Sequence, residues 1–308
     1  MFTRDELLAK YNITEEEFEH AEMTWDDLIY IYNDFKENHY CKYQDILSDF
    51  VQEYLQDIDK KGLHSIRTRV KDPEHLIVKV IRKRIEKYNK YKTLTKYNYT
   101  RFLTDLIGIR CFILFKEQWV DFHQYITSKI ENNSDLYIRD FEIDFDENDE
   151  HVYMAEQPKV HIRNGDKRTI YEHVEPAIHV DSGKTYRSIH YIIKYQGVYI
   201  EIQVRTLFEE GWGEVDHAVV YPYHQDDPVL KEYTGLLNRL TGLADEMGSF
   251  FKIIKRLELS QSIQEEIQEN EEEGNKKKDE ISNIGQQRLE NTKEGLTPDD
   301  CLNSVMME

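Results

Sequence analysis

The sequence predicts an α+β fold in which a mixed, largely antiparallel sheet is flanked by helices. Two observations carry this: a β-hairpin pattern at residues 189–204, and runs of helical spacing at both ends of the chain. In the hairpin, residues 189–195 and 198–204 are strand-like and Gln196-Gly197 joins them, a turn that favours glycine. Strand side chains alternate, so Val198, Ile200, Ile202 and Val204 share one face while Tyr199, Glu201, Gln203 and Arg205 share the other. A polar turn is expected just upstream, at Asp181-Ser182-Gly183-Lys184. Downstream, residues 207–223 have helical spacing, with Leu207, Val215 and Val219 as apolar positions and Glu210, Glu214, His217 and Tyr221 as a polar row.

The remaining elements follow in order. Residues 1–62 read as helices: Thr14 to Glu17 fits a capping box, and Leu28, Ile31, Phe35, Ile46 and Phe50 supply an apolar stripe. Thr104 to Arg110 leads into a strand pattern at 111–115. Residues 117–184 contain an amphipathic stretch, an acidic loop at 144–150, and an expected hairpin of 160–163 with 168–172 turning at Asn164-Gly165. Helical spacing returns at 230–259 with Leu236, Leu240, Leu243 and Met247, a face suited to the domain or to another subunit. From residue 260 the composition predicts disorder or a solvated helix. The expected division is a helical region (1–62), a central domain (63–225), a C-terminal helical region (226–259) and a polar tail (260–308).

A net charge of −20 and a pI near 5.1 argue against a general nucleic-acid or membrane-surface binder. Three cysteines, Cys41, Cys111 and Cys301, suggest neither a disulfide framework nor a thiolate zinc site, which fits a reducing cytoplasm. No run approaches the roughly 18 apolar residues of a membrane span, and the charged N-terminus does not read as a signal peptide.

Against this acidic background, residues 60–101 carry fourteen Lys and Arg against three Asp and Glu. The simplest meaning is a site for nucleotide phosphates, with nucleic acid as the alternative. Asp105 is a turn or cap residue, or else faces Glu201, in which case the two carboxylates suit magnesium. Ser182-Gly183-Lys184-Thr185 is not a phosphate loop, because Ile178 stands where its first glycine belongs. Glu214-x-x-His217 lacks the further inward carboxylates of a di-iron bundle. Ser188 and His190 share a strand face with no acid placed to complete a nucleophilic triad.

Three blocks, in order, carry a family resemblance: Arg69-Val70-Lys71 with Lys79; Asp105-Leu106-Ile107-Gly108-Ile109-Arg110; and Tyr186-Arg187-Ser188-Ile189-His190 with Glu201-Ile202-Gln203-Val204-Arg205-Thr206. From about residue 65 to 223 the chain resembles the synthetase domain of RelA/SpoT-type enzymes, the (p)ppGpp synthetases, and in particular the small synthetase-only kind. The resemblance implies a nucleotidyltransferase-like fold and transfer of the β,γ-pyrophosphate of ATP to the 3′ hydroxyl of GDP or GTP, releasing AMP. It implies that Arg69, Lys71, Lys79 and Arg110 bind ATP, that Asp105 and Glu201 hold Mg2+, and that Glu201 accepts the hydroxyl proton. Tyr186 would stack on guanine, with Lys184, Arg187, His190, Gln203, Arg205, Glu210 and His217 around the guanine nucleotide.

Departures from the family pattern are His75 for a common Ser, Thr185 for the Gly before the stacking Tyr, and Glu210 for the Asn that reads the guanine edge in short members. With no His-Asp dipeptide and no length for a hydrolase, a synthetase-only protein is expected. Two other readings stay open: a toxic small synthetase that modifies the tRNA 3′ end, and an inert nucleotide-binding module. A homo-oligomer through the C-terminal helix is also expected, and no membrane partner.

Overall fold

The computed structural model describes residues 2–57, 61–141, 149–163, 166–220 and 227–294, with side chains to residue 262 except at Lys184. It forms two units, Met1–Ser249 and Phe250–Glu308.

The first unit opens with helices α1 (Arg4–Lys10), α2 (Glu15–His20), α3 (Trp25–Asp34) and α4 (Tyr40–Tyr54), with a π-helical turn at Phe35–His39. Thr3 and Thr14 each close a capping box, with Glu6 and Glu17, so both short helices start with their free N–H groups satisfied. Leu28, Ile31, Phe35 and Phe50 are completely buried, as their spacing predicts.

Among the described residues seven strands follow: β1 (Ser65–Val70), β2 (Ile107–Ile113), β3 (Tyr153–Met154), β4 (Lys159–Arg163), β5 (His179–Lys184), β6 (Ser188–Tyr195) and β7 (Val198–Thr206). They form one sheet in the order β1-β2-β7-β6-β4-β5, with β3 also paired to β6. The β2–β7 and β4–β5 pairs are parallel and the others antiparallel, so the sheet is mixed and largely antiparallel. The predicted hairpin is β6–β7: Gln196 and Gly197 have φ of 45° and 74°, the two left-handed positions of a tight turn that matches strand twist. Ile200, Ile202 and Val204 are fully buried on one face, each contributing about 1.5–3 kcal/mol.

Helices accompany the sheet: α5 (Pro73–Glu86), the short α6 (Tyr88–Tyr91) and α7 (Tyr99–Phe102), α8 (Trp119–Lys129), the single turn α9 (Thr169–Glu172), α10 (Leu207–Val219) and α11 (Pro228–Glu294). In α5, Asp72 caps the first N–H groups and Pro73 sits where no donor is needed. The described part of the second unit is the continuation of α11.

The expected second hairpin does not form. Residues 169–172 are helical, and β4 pairs instead with β5 and β6; Asn164-Gly165 lies outside the described residues, as do Tyr221, Cys301 and most of the acidic loop. Asp181 to Lys184 is strand, not turn, because β4 offers it a ladder partner. Helix α10 is turned the other way round from its hydropathy: Leu207, Val215 and Val219 are exposed, while Glu209 and Glu210 are buried by pairing with arginines. Residues 260–294, where disorder or a solvated helix was expected, are helical; those beyond lie outside the described residues.

Candidate active site

The face of the sheet opposite the core carries the polar residues in two lateral rows. In one, Arg69 of β1 stands opposite Gly108 of β2, and Gly108 opposite Glu201 of β7. In the next, Arg67, Arg110, Gln203, His190 and Lys159 follow each other across five strands. The parallel β2–β7 pairing is what brings residues as far apart in sequence as Gly108 and Glu201 into register. With no side chain, Gly108 lets the Arg69 side chain lie over it: a Cβ there would be 3.5 Å from Arg69 Nε.

A cavity of about 1040 Å3 lies over these rows. Arg69, Lys71, Lys79, Arg110, Glu201, Gln203 and His217, all expected at the site, line it. One wall is therefore cationic and the other holds Glu201. Tyr11, Arg67 and Glu214 also line it, and the sequence reading assigned none of them to the site.

Asp105 lies just beneath the cationic wall. Its Oδ2 accepts from Lys71 Nζ at 2.7 Å and pairs with Lys79. Burial alone would raise the Asp105 pKa, but the two ammonium groups outweigh it and hold the carboxyl well below its ordinary range. Burial lowers the Lys71 pKa, with the Asp105 charge opposing. Asp105 Oδ1 is buried without a hydrogen-bond partner.

Glu201 Oε1 is 3.3 Å from His190 Nδ1, and its Oε2 accepts from Gln203 Nε2 at 2.8 Å. Burial pushes its carboxyl up, yet His190 more than compensates, so it titrates below its ordinary value and is ionised at neutral pH. His190 in turn meets His161 edge-to-face, ring centroids 4.7 Å apart, and His161 Nδ1 lies 3.0 Å from Asp181 Oδ2. His161 and Asp181 went unnoticed in the sequence because β5 reads as a turn, and only the β4–β5 register puts them opposite each other.

The other expected residues are placed as follows. Tyr186 is half-buried, with its ring 5.5 Å from that of His161. Glu210 accepts from Arg110 Nη1 at 2.6 Å and from Arg205 Nη1 at 3.3 Å, so its two oxygens bind arginines here. Arg110 also reaches Glu214 at 2.5 Å. These bonds raise the Arg110 pKa against the effect of burial. Burial, with the nearby Arg110, lowers the pKa of His217. Arg187, expected on the nucleotide, has its guanidinium held by Asp166 at 2.9 and 3.0 Å and by Asp245 at 2.9 Å, which makes it a buried structural ion. The backbone of Lys184 ends β5.

The residues present suit magnesium: two carboxylates supply hard oxygens, Asp105 has an unsatisfied buried oxygen, and the charge of Asp105 is felt at Glu201. Among the described residues no group of three or more His, Cys, Asp or Glu is arranged to hold a metal ion, so phosphate oxygens and water would complete the shell.

A family model for the region found in RelA / SpoT proteins matches residues 68–226, more than half of the chain. The chain belongs to that family. Three solved structures illustrate its neighbourhood. A GTP pyrophosphokinase family protein from Streptococcus pneumoniae is 19% identical, with a TM-score of 0.42 over 76% of this chain and 97% of that one. The small alarmone synthetase 2 of Bacillus subtilis is 19% identical, with a TM-score of 0.44 over 72% and 98%. The small alarmone synthetase 1 of the same organism, bound to its product pppGpp, is 20% identical, with a TM-score of 0.39 over 75% and 96%. No curated protein matches the chain. Among the described residues, no helix is long and apolar enough to cross a membrane.

Proposed function

We propose that this RelA/SpoT-family protein is a cytoplasmic synthetase that moves the β,γ-pyrophosphate of ATP to the ribose 3′ hydroxyl of GDP or GTP, giving (p)ppGpp and AMP. The observation that carries this is the cavity lined by Arg69, Lys71 and Lys79 together with an ionised, half-buried Glu201 in register with Gly108. The cationic wall suits a triphosphate. Nothing else in this acidic chain concentrates positive charge in the same way.

In this reading Arg69, Lys71, Lys79 and Arg110 hold the ATP phosphates, arginine by paired donors and lysine as a point charge. Glu201 accepts the 3′ hydroxyl proton as that oxygen bonds to the β-phosphorus, and the bond from the β-phosphorus to the α,β-bridging oxygen breaks to release AMP. Asp105 and Glu201 would hold Mg2+, which would neutralise charge on the transferring phosphates. Gln203 and His190 orient Glu201 and keep it charged. Tyr186, beside His161, offers the stacking face for guanine.

A homo-oligomer through α11 is part of the proposal. Val229, Tyr233, Leu236, Leu240, Leu243 and Met247 alternate steps of four and three residues, and all are exposed. That is a coiled-coil seam without its partner helix. Its opposite side, with Thr241, Asp245 and Ser249, is buried against the chain's own domain.

The test is product analysis after incubation with Mg2+, β,γ-labelled ATP and either GDP, GTP or deacylated tRNA, with Glu201→Gln alongside. Label on the guanosine nucleotide is expected, with Glu201→Gln inactive but still binding nucleotide. Label only on tRNA would replace this reading with that of a translation-blocking enzyme, and no transfer at all would leave a binding module.

A further inference from the structure

Tyr186 is held from both sides by one helix. The residue before it, Thr185, accepts a hydrogen bond on its carbonyl oxygen from the side-chain amide of Asn238 in α11. The residue after it, Arg187, donates from Nη1 to Asp245 Oδ2 at 2.9 Å, also in α11, while Asp166 takes its Nε and Nη2. Asn238 and Asp245 are seven residues apart, two helical turns, and so lie on one face. The Asn238 amide oxygen accepts from Arg163 Nε at 3.0 Å, which fixes which way the amide points. Gly242, between them, gives the close approach: a Cβ there would lie 3.4 Å from Arg163 Nη1. Asp245 is 1% and Arg187 6% exposed, so water does not compete for this pair.

We propose that Asn238 and Asp245 are positioning residues for the acceptor nucleotide. They pin the backbone on either side of Tyr186 and thereby set the plane on which the base stacks. The inference rests on the reading of Tyr186 as the guanine platform. Neither residue lines the cavity, and both lie outside the segment matched by the family model. Removing either lets residues 184–188 move, so the base loses a preorganised surface while the phosphate wall around Lys71 and Lys79 is untouched.

The experiment compares wild type, Asn238→Ala, Asp245→Asn and Ser249→Ala. Ser249 is on the same helix and also buried, but its Oγ donates to Glu117 at 2.7 Å and to the Asp245 backbone carbonyl at 3.1 Å, not to the Tyr186 segment. Thermal melts establish that each variant is folded. Amide hydrogen exchange over residues 184–188, and calorimetric titration with GDP and separately with a non-hydrolysable ATP analogue, give the readout.

The expected result for Asn238→Ala and Asp245→Asn is faster exchange and GDP affinity lower by about tenfold or more, with analogue affinity unchanged. Ser249→Ala should behave as wild type. Unchanged exchange in both variants would overturn the clamp. Faster exchange with unaltered GDP binding, or no GDP binding by the wild type, would overturn the role of Tyr186 instead. Equal losses in Ser249→Ala would reduce both residues to general packing and refute the proposal.

Discussion

Glu209→Gln should change how stability depends on pH. Glu209 is 2% exposed and its partner Arg163 is 9% exposed, the two forming an ion pair in the interior. Burial raises the Glu209 carboxyl from an ordinary 4.5 to about 7, with Arg163 and Arg187 opposing but not cancelling it. Between those values the folded chain binds a proton at this site that the unfolded chain has lost. Stability from this group is therefore present at low pH and declines as pH rises through the window. A shift from 4.5 to about 7 at ~1.36 kcal/mol per unit makes the whole decline about 3 kcal/mol. Some ~2 kcal/mol of it falls between about pH 5.5 and 8, above the isoelectric range where precipitation would interfere. The assay is urea unfolding of wild type and Glu209→Gln at both pH values. Glutamine also leaves Arg163 without its carboxylate, a loss that adds an offset at both, so the quantity to read is the change in the difference between the two proteins. That difference should shift in favour of the variant by about 2 kcal/mol at the higher pH. Parallel pH profiles would refute the reasoning and show Glu209 to be charged throughout.

Two further outcomes follow from the same geometry. Arg84 is 4% exposed and donates to the carbonyls of Tyr91, Lys92 and Leu94 and, from Nε, to that of Ala21; Arg84→Met should cost about 3 kcal/mol in urea unfolding, because buried carbonyls without donors cost ~1–3 kcal/mol each and do not add fully. Leu240→Glu should turn any oligomer in light scattering into monomer with little loss in the melting temperature of the monomeric domain, since Leu240 is 53% exposed; an unchanged oligomer would place the subunit contact elsewhere.

The legible parts of the fold were those set by local pattern. The alternation in residues 198–204 and the Gln196-Gly197 turn specify β6–β7 without help from the rest of the chain, and the capping box at Thr14 does the same for α2. Of the basic residues at 60–101, Arg67, Arg69, Lys71, Lys79, Arg82 and Lys83 line the cavity. What failed was decided by partners distant in sequence. Asp181 to Lys184 has turn composition and becomes a strand only because β4 pairs with it. Helix α10 buries acids because Arg110, Arg163 and Arg205 converge there from three strands, an ion-pair preference that overrides hydropathy. Arg187 could not be separated from the site arginines by its motif, since the carboxylate that makes it structural, Asp245, arrives 58 residues later.

The pairing of Arg187 with Asp245 also bears on how this protein comes into being. The segment matched to the family, 68–226, is packed on residues from both sides of it. Asn238, Asp245 and Ser249 belong to it physically, as does Phe50, whose ring lies 5.2 Å from that of Tyr195, and Ala21, whose carbonyl closes on Arg84. A ribosome must therefore release α11 before Arg187 has its second carboxylate. Until then Asp166 is the carboxylate that holds Arg187. The segment around Tyr186 is thus completed only once residues 238 and 245 have been made, and a chain cut at the borders of the family segment would lack both contacts.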